Sequence, residues 1–131
     1  MNLSPRSEQR LVGVHPDLVK VLRRAVSLCG FEIMVIEGVR TLAKQKEYFA
    51  AGKSKTMRSR HLDGHAVDLG PVLDTDGDGD TELSWNAKDF RPIADAMKQA
   101  SKEVGVPIEW GGDWLSFKDC PHFQLPWKDY P

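Results

Sequence analysis

The histidines and carboxylates are unevenly placed along the chain. Of its four histidines, two fall in the run Ser59-Arg60-His61-Leu62-Asp63-Gly64-His65-Ala66-Val67-Asp68-Leu69-Gly70, together with Asp63 and Asp68. A third, His122, lies in Asp119-Cys120-Pro121-His122-Phe123, and His15 lies far upstream. Zinc takes imidazole nitrogen and carboxylate oxygen, and catalytic sites use three protein ligands and leave a fourth position to water. His61, Asp68 and His122 meet that count. Asp68 stands between Val67 and Leu69. In an extended segment it faces away from both, and burying it is costly unless it is paired or bound to a metal.

Other assignments compete. Asp63 and His65 are ligand candidates that spacing separates only weakly from Asp68. The His61-x3-His65 spacing fits a helical metalloprotease motif, but Leu62 replaces the catalytic glutamate and Gly64 weakens a helix. Cys120 is a poor ligand beside Pro121-His122, because both could not easily point inward. A hydrolytic centre also needs a base, since a metal lowers the pKa of its water to about 7 and a nearby carboxylate can take the proton. Asp119, three residues before His122, is the first choice, and Glu109 is its rival.

These groups need a frame. Residues 1–14 read as a polar arm. His15-Pro16-Asp17 opens a helix, with proline in the first turn and His15 as a capping or surface residue. Leu18, Leu22, Ala25 and Cys29 give it a buried face, and Gly30 is expected to cap its end. Phe31–Glu37 reads as a strand. Thr41 is an N-cap for a helix over 42–51, closed by Gly52, which leaves Arg40 at a strand-to-helix junction. Lys53 to Arg60 is a basic loop, and Ala66–Leu69 a short strand.

A third helix is expected from about Asp89, with Pro92 in its first turn and Phe90, Ile93, Ala94, Met97, Ser101 and Val104 inward. Gly105 ends it. Pro107–Trp110 and His122–Leu125 are strand candidates. Trp110 and Trp114 suit either core or cleft. The fold class expected is α+β, a small antiparallel sheet with about three helices packed on it.

Asp74-Thr75-Asp76-Gly77-Asp78-Gly79-Asp80-Thr81-Glu82 matches the first half of a calcium loop, with Asp74, Asp76, Asp78 and Asp80 as ligands. The second half fails, because Trp85 stands where the bidentate glutamate belongs. The plainer reading is a solvated acidic turn.

At 131 residues the chain makes one domain. Its formal charge of -1, from 18 basic and 19 acidic residues, argues against nucleic acid as the partner. No apolar run approaches the ~20 residues that span a bilayer. The polar opening Met1–Arg10 has no signal-peptide core, so an enzyme made in the cytosol is expected. Cys29 and Cys120 are too few for a disulfide framework.

The pattern Ser59-x-His61-x-x-Gly64-x-Ala66-x-Asp68 with Asp119-x-x-His122 resembles the zinc D,D-carboxypeptidase and L-alanyl-D-glutamate endopeptidase family, of Hedgehog/DD-peptidase fold. Gly13-Val14-His15-Pro16-Asp17-Leu18, Glu37-Gly38-Val39-Arg40-Thr41 and Glu109-Trp110-Gly111-Gly112-Asp113-Trp114 extend it over nearly the whole chain. The run through Pro121-His122-Phe123 is similar to the endopeptidase branch of small phage endolysins.

The resemblance implies zinc on His61, Asp68 and His122, with Asp119 as catalytic acid/base. It also implies Arg40 on the substrate carbonyl or carboxylate and Ser59 in the cleft, where Trp114 is a further candidate wall. Asp63 and His65 become surface or supporting residues. The activity implied is cleavage of the L-alanyl-D-glutamate bond of the peptidoglycan stem peptide by a monomer, released to the wall by a separate pore protein. A D,D-carboxypeptidase is the nearest rival. A non-catalytic zinc-binding domain is a more distant one, since it would need neither Asp119 nor Arg40.

Overall fold

A computed structural model describes residues 3–52, 59–115 and 118–131. Most of the expected basic loop (residues 53–58) lies outside the described residues, as do Ser116 and Phe117. Among the described residues, four α-helices accompany an antiparallel sheet: α1 Pro5–Arg10, α2 Pro16–Leu28, β1 Glu32–Glu37, α3 Leu42–Ala50, β2 Ala66–Leu73, β3 Glu82–Leu83, α4 Ala87–Val104, β4 Glu109–Trp110 and β5 His122–Gln124. The strand order is β1-β2-β5-β4, with β3 pairing β2. This is the expected α+β architecture, with one helix more than the sequence suggested. Among the described residues, no helix is long and apolar enough to cross a membrane.

Strand β2 is the axis of the molecule. Ala66 to Asp68 pair with β5, while Val72 and Leu73 pair with β3. Pro71, which has no N–H to give, sits where β2 changes partner, a placement that costs the ladder little. Val67, Leu69 and Phe123 are fully buried. The core also holds Leu18, Leu22 and Ala25 of α2 and Phe90, Ile93 and Met97 of α4. The helices α2 and α4 pack on each other, and α4 packs on β2. Each such aliphatic or aromatic side chain contributes about 1.5–3 kcal/mol through burial.

The other face of the sheet carries a row of polar side chains where β2 meets β5. Register places Glu37 and His122 opposite Asp68, and Glu109 opposite Gln124. A bulge between Val35 and Glu37 brings Glu37 to that position. Alternation therefore separates a core face from a face that can do chemistry.

Several boundaries differ from expectation. Residues 1–14, expected as a polar arm, contain α1. Ser4 caps it, Ser7 is buried and accepts from the Val35 N–H, and Leu11 and Val14 join the core. Arg10 donates to the Val35 carbonyl, so sparse apolar residues are supplemented by hydrogen bonds to β1. Helix α2 ends at Leu28 because Cys29 is already extended, so Gly30 is not its cap. Helix α4 starts two residues early. Ser84 Oγ accepts from the Asn86 N–H and donates to Asp89, organising the turn and leaving Pro92 inside the helix. His15 does cap α2, its Nδ1 accepting from the Asp17 N–H, and Gly105 closes α4 with a φ of 75°.

Candidate metal centre

Asp68 comes from β2 and His122 from its cross-strand partner β5. His61 comes from a 3₁₀ turn, Arg60–Asp63, that precedes β2. Ser59 caps that turn, its Oγ accepting from the His61 N–H at 3.2 Å. Gly64 ends it with a φ of 78°, and the chain then enters β2.

Gly64 is required there twice over. Its φ is one that L side chains avoid, and a Cβ would sit 2.3 Å from the Gly13 carbonyl oxygen. The left-handed backbone alone costs an alanine about 1–2 kcal/mol, and the collision adds to that. Gly64→Ala is expected to lower the unfolding midpoint by roughly 5–10 °C in a circular-dichroism melt. An unchanged midpoint would show that the 13–15 segment yields freely.

The three side chains converge. Asp68 Oδ1 lies 3.2 Å from His61 Nε2 and 3.3 Å from His122 Nδ1. The candidate ligand atoms all lie within 4.8 Å of one another. Both outer imidazole nitrogens are occupied: His61 Nδ1 is 2.7 Å from the Gly38 carbonyl oxygen, and His122 Nε2 is 2.7 Å from Gln124 Oε1. Facing acceptors, both outer nitrogens must carry protons. In the neutral rings the inner nitrogens then present lone pairs to a carboxylate. Only shared cations satisfy that arrangement, either protons on the rings or one metal ion. The donor set, two nitrogens and one oxygen, suits zinc.

Electrostatics follow from the same geometry. Burial pushes the Asp68 carboxyl up, but the hydrogen bonds from His122 and His61 and their charge outweigh it, holding Asp68 well below the usual carboxylate range. His122 is desolvated, which alone would lower its pKa, yet Asp68 and Gln124 raise it above its ordinary value.

Asp119 approaches from the turn before β5, with Oδ2 3.9 Å from His122 Nδ1. Its amide donates to the Gly111 carbonyl, and its own carbonyl accepts from the His122 N–H. A Cβ on Gly111 would lie 2.3 Å from the Asp119 carbonyl oxygen, so the close approach needs glycine. Trp110 is a core residue, as its strand position allowed. Its Nε1 donates to the Cys120 carbonyl at 2.7 Å, pinning the same turn. Burial and the nearby Asp68 charge raise the Asp119 pKa above the ordinary carboxylate value, although His122, His61 and Arg40 pull against them.

Arg40 is held beside the turn that carries His61. Its backbone N–H donates to the His61 carbonyl, and its guanidinium donates to Glu37 and, at 2.6 Å, to Gln45 Oε1. It also lies over the Tyr48 ring at 4.6 Å. The Trp114 ring is 5.2 Å from that of His122. Trp114 also lines a groove of about 320 Å³ with Lys98, Ile108, Glu109, Trp110 and Asp113.

Other candidates are not brought into the centre. His65 packs against the rings of His15 and Tyr130, and Asp63 lies near Arg60 and His65. Cys29 and Cys120 are free thiols. Glu109 meets Gln124, on the Nε2 side of His122, so the rival base lies behind the ring and Asp119 lies on the Nδ1 side.

The acidic loop groups Asp74, Asp76 and Asp78 with Glu82. Asp80, expected among the ligands, is outside this group, and its N–H donates to Asp78 Oδ1. Asp74 accepts from the Gly77 and Gly79 N–H groups and Asp76 from that of Asp78. Turn formation thus accounts for these side chains, and nothing else among the described residues supports calcium there.

Sequence reasoning missed Gln45, Gln124 and Arg60. Gln45 is fully buried one turn into α3. Gln124 lies two residues after His122 on the same strand face, a spacing that could have found it. Arg60 is almost wholly buried, donates to the Leu125 and Tyr130 carbonyls, and stacks 3.8 Å from the Trp127 ring centroid. It thereby ties the last residues to the turn carrying His61.

Residues 1–124 match the family described as phage L-alanyl-D-glutamate peptidase. The L-alanyl-D-glutamate peptidase of Escherichia phage T5 is 35% identical over 117 residues, covering 86% of this chain and 81% of that protein. The peptidoglycan L-alanyl-D-glutamate endopeptidase CwlK of Bacillus subtilis is 30% identical over 115 residues, 79% of this chain and 66% of that one. Among solved structures, the Serratia marcescens L-Ala D-Glu endopeptidase ChiX superposes with a TM-score of 0.87 at 45% identity, covering 99% of this chain and 94% of that one.

Proposed function

Because the chain belongs to the phage L-alanyl-D-glutamate peptidase family, we propose that it is a zinc-dependent peptidoglycan hydrolase that cuts the bond between L-alanine and D-glutamate in the stem peptide. The observation that carries the metal half of this reading is the convergence of the three inner ligand atoms on one point, with both outer imidazole nitrogens spent on acceptors.

His61 through Nε2, His122 through Nδ1 and Asp68 through Oδ1 would hold the ion. When bound, zinc supplies Lewis acidity and lowers the pKa of water to about 7. Asp119 takes the proton of the attacking water and returns it to the leaving amine. Its raised pKa suits a group that must hold a proton between those steps. Arg40 donates to the carbonyl oxygen as charge develops there, or holds a substrate carboxylate. Glu37 and Gln45 fix its plane in advance, so little ordering is left to the moment of reaction. Ser59 and Trp114 border the cleft, Ser59 through the turn it caps and Trp114 beside His122.

Mass spectrometry of muropeptides after digestion tests the reading. Release of free L-alanine-terminated glycan fragments and of peptides beginning with D-glutamate is expected. Loss of terminal D-alanine alone would make the protein a D,D-carboxypeptidase instead. No cleavage by zinc-loaded protein would favour a non-catalytic domain.

Arg40→Ala is expected to lower kcat/KM by ~10²–10³, the usual loss for one oxyanion donor. Arg40→Lys should recover little, because an ammonium cannot span Glu37 and Gln45 as a planar guanidinium does. Initial rates on purified muropeptides measure both, and wild-type rates in Arg40→Ala would remove Arg40 from the mechanism.

A further inference from the structure

The two imidazoles are oriented by different means. His61 donates from Nδ1 to the Gly38 carbonyl, a backbone acceptor that substitution leaves in place. His122 is oriented by a side chain. Its Nε2 is 2.7 Å from Gln124 Oε1, and the Gln124 amide nitrogen is 3.4 Å from Glu109 Oε2. These three residues lie on one face of paired strands, where Glu109 sits opposite Gln124 and His122 two residues away.

The donor inventory gives this chain a direction. An ionised glutamate only accepts, so Glu109 must receive the Gln124 NH₂ group. That turns the Gln124 carbonyl oxygen toward His122, which must then donate from Nε2. The lone pair of His122 is therefore left on Nδ1, the nitrogen that faces Asp68 at 3.3 Å. Gln124 is 6% exposed and His122 also 6%, so water does not readily substitute for the lost partner. Reversing the amide would set two donors against each other at the His122 end.

We propose that Gln124, oriented by Glu109, is a positioning residue that fixes the tautomer and ring rotation of His122, and so sets the affinity of the centre for zinc. The proposal rests on the zinc reading above, and it assigns Glu109 a role other than that of a base. Partners of this kind, behind a metal-bound histidine, typically change metal affinity by about 10–100-fold.

The test measures the dissociation constant for zinc alone, by competition with a chromophoric chelator, in four full-length proteins. Gln124→Met keeps the side-chain length and removes both hydrogen bonds. It is expected to weaken zinc binding about 10–100-fold. The exchange Gln124→Glu with Glu109→Gln keeps one amide and one carboxylate in the pair and keeps an acceptor facing His122 Nε2, while the bond between the two positions reverses, position 109 now donating to position 124. It should restore affinity to within about threefold of wild type, an outcome that a packing role for Gln124 does not predict.

His122→Ala serves as the control and should lose the site. If Gln124→Met binds zinc within twofold of wild type while His122→Ala does not bind, the positioning role is overturned and the zinc reading stands. If Gln124→Met is weak and the exchanged pair is equally weak, the hydrogen-bond direction is not what matters, and the proposal again fails. If His122→Ala binds zinc like wild type, the zinc reading itself has failed. Should Gln124→Met not fold, the exchanged pair decides alone, with wild-type affinity expected and a tenfold loss overturning the proposal.

Discussion

Asp119→Ala is expected to lower turnover by ~10²–10⁴ while leaving zinc content at the wild-type level. The two halves of that result come from different bonds. The metal group uses His61, Asp68 and His122, and Asp119 is no part of it. The Asp119 carboxylate stands 3.9 Å from His122 Nδ1, near enough to serve a water at the centre, while its oxygens fall outside the group of converging ligand atoms. Its backbone is held by Gly111 and by the His122 N–H, neither of which depends on its side chain. The alanine variant should therefore fold and load metal.

Asp119→Asn should be as inactive, because an amide cannot take the proton. Asp119→Glu should retain a fraction of activity, because the added methylene displaces the base. Rates on muropeptides, with zinc measured by atomic absorption, separate these outcomes. Full turnover in Asp119→Ala would transfer the base role elsewhere, and Glu109→Ala would then be the next variant to measure.

The candidate ligands stand out in the sequence because they are rare residues placed among small and apolar ones. Asp68 between Val67 and Leu69 is an anomaly that period two turns into a prediction, and β2 places it so. His122 was legible as a candidate third ligand on a neighbouring strand, from its residue type and from the family pattern, but not from spacing. What makes it a partner of Asp68 is the β2–β5 register, a contact between residues more than fifty positions apart that spacing alone does not encode.

The arm at residues 1–14 misled for a related reason. Its apolar residues are few, and α1 is held partly by Ser7 and Arg10 hydrogen bonding to Val35, which composition does not reveal. The supports were harder still to see. Glu37 reaches the Asp68 row through a bulge, and Gln45 reaches Arg40 from the first turns of α3. Polar residues in these positions look like solvated surface until the fold buries them.

His122→Ala is expected to abolish both zinc binding and hydrolysis, unlike Asp119→Ala. Three protein ligands are the minimum for a catalytic zinc site, and removing one leaves Asp68 and His61 with no third donor in the described group. The loss should also be visible without substrate. A ligand that binds only the folded chain stabilises it by RT ln(1 + [L]/Kd), about 2.7 kcal/mol at one hundred times Kd. Wild type should therefore melt several degrees higher with zinc than after chelation, while His122→Ala should melt at the same temperature in both.

The chelated wild type is the necessary comparison, because in it Asp68 is still compensated by the two imidazoles, as protons can take the place of the metal. In His122→Ala one of those partners is gone, and the buried carboxylate, now matched by His61 alone, should make the variant less stable than chelated wild type near neutral pH. Zinc stoichiometry unchanged by the substitution would sink the ligand assignment. A zinc-dependent rise in melting temperature that survives it would place the ion somewhere other than between β2, β5 and the turn before β2.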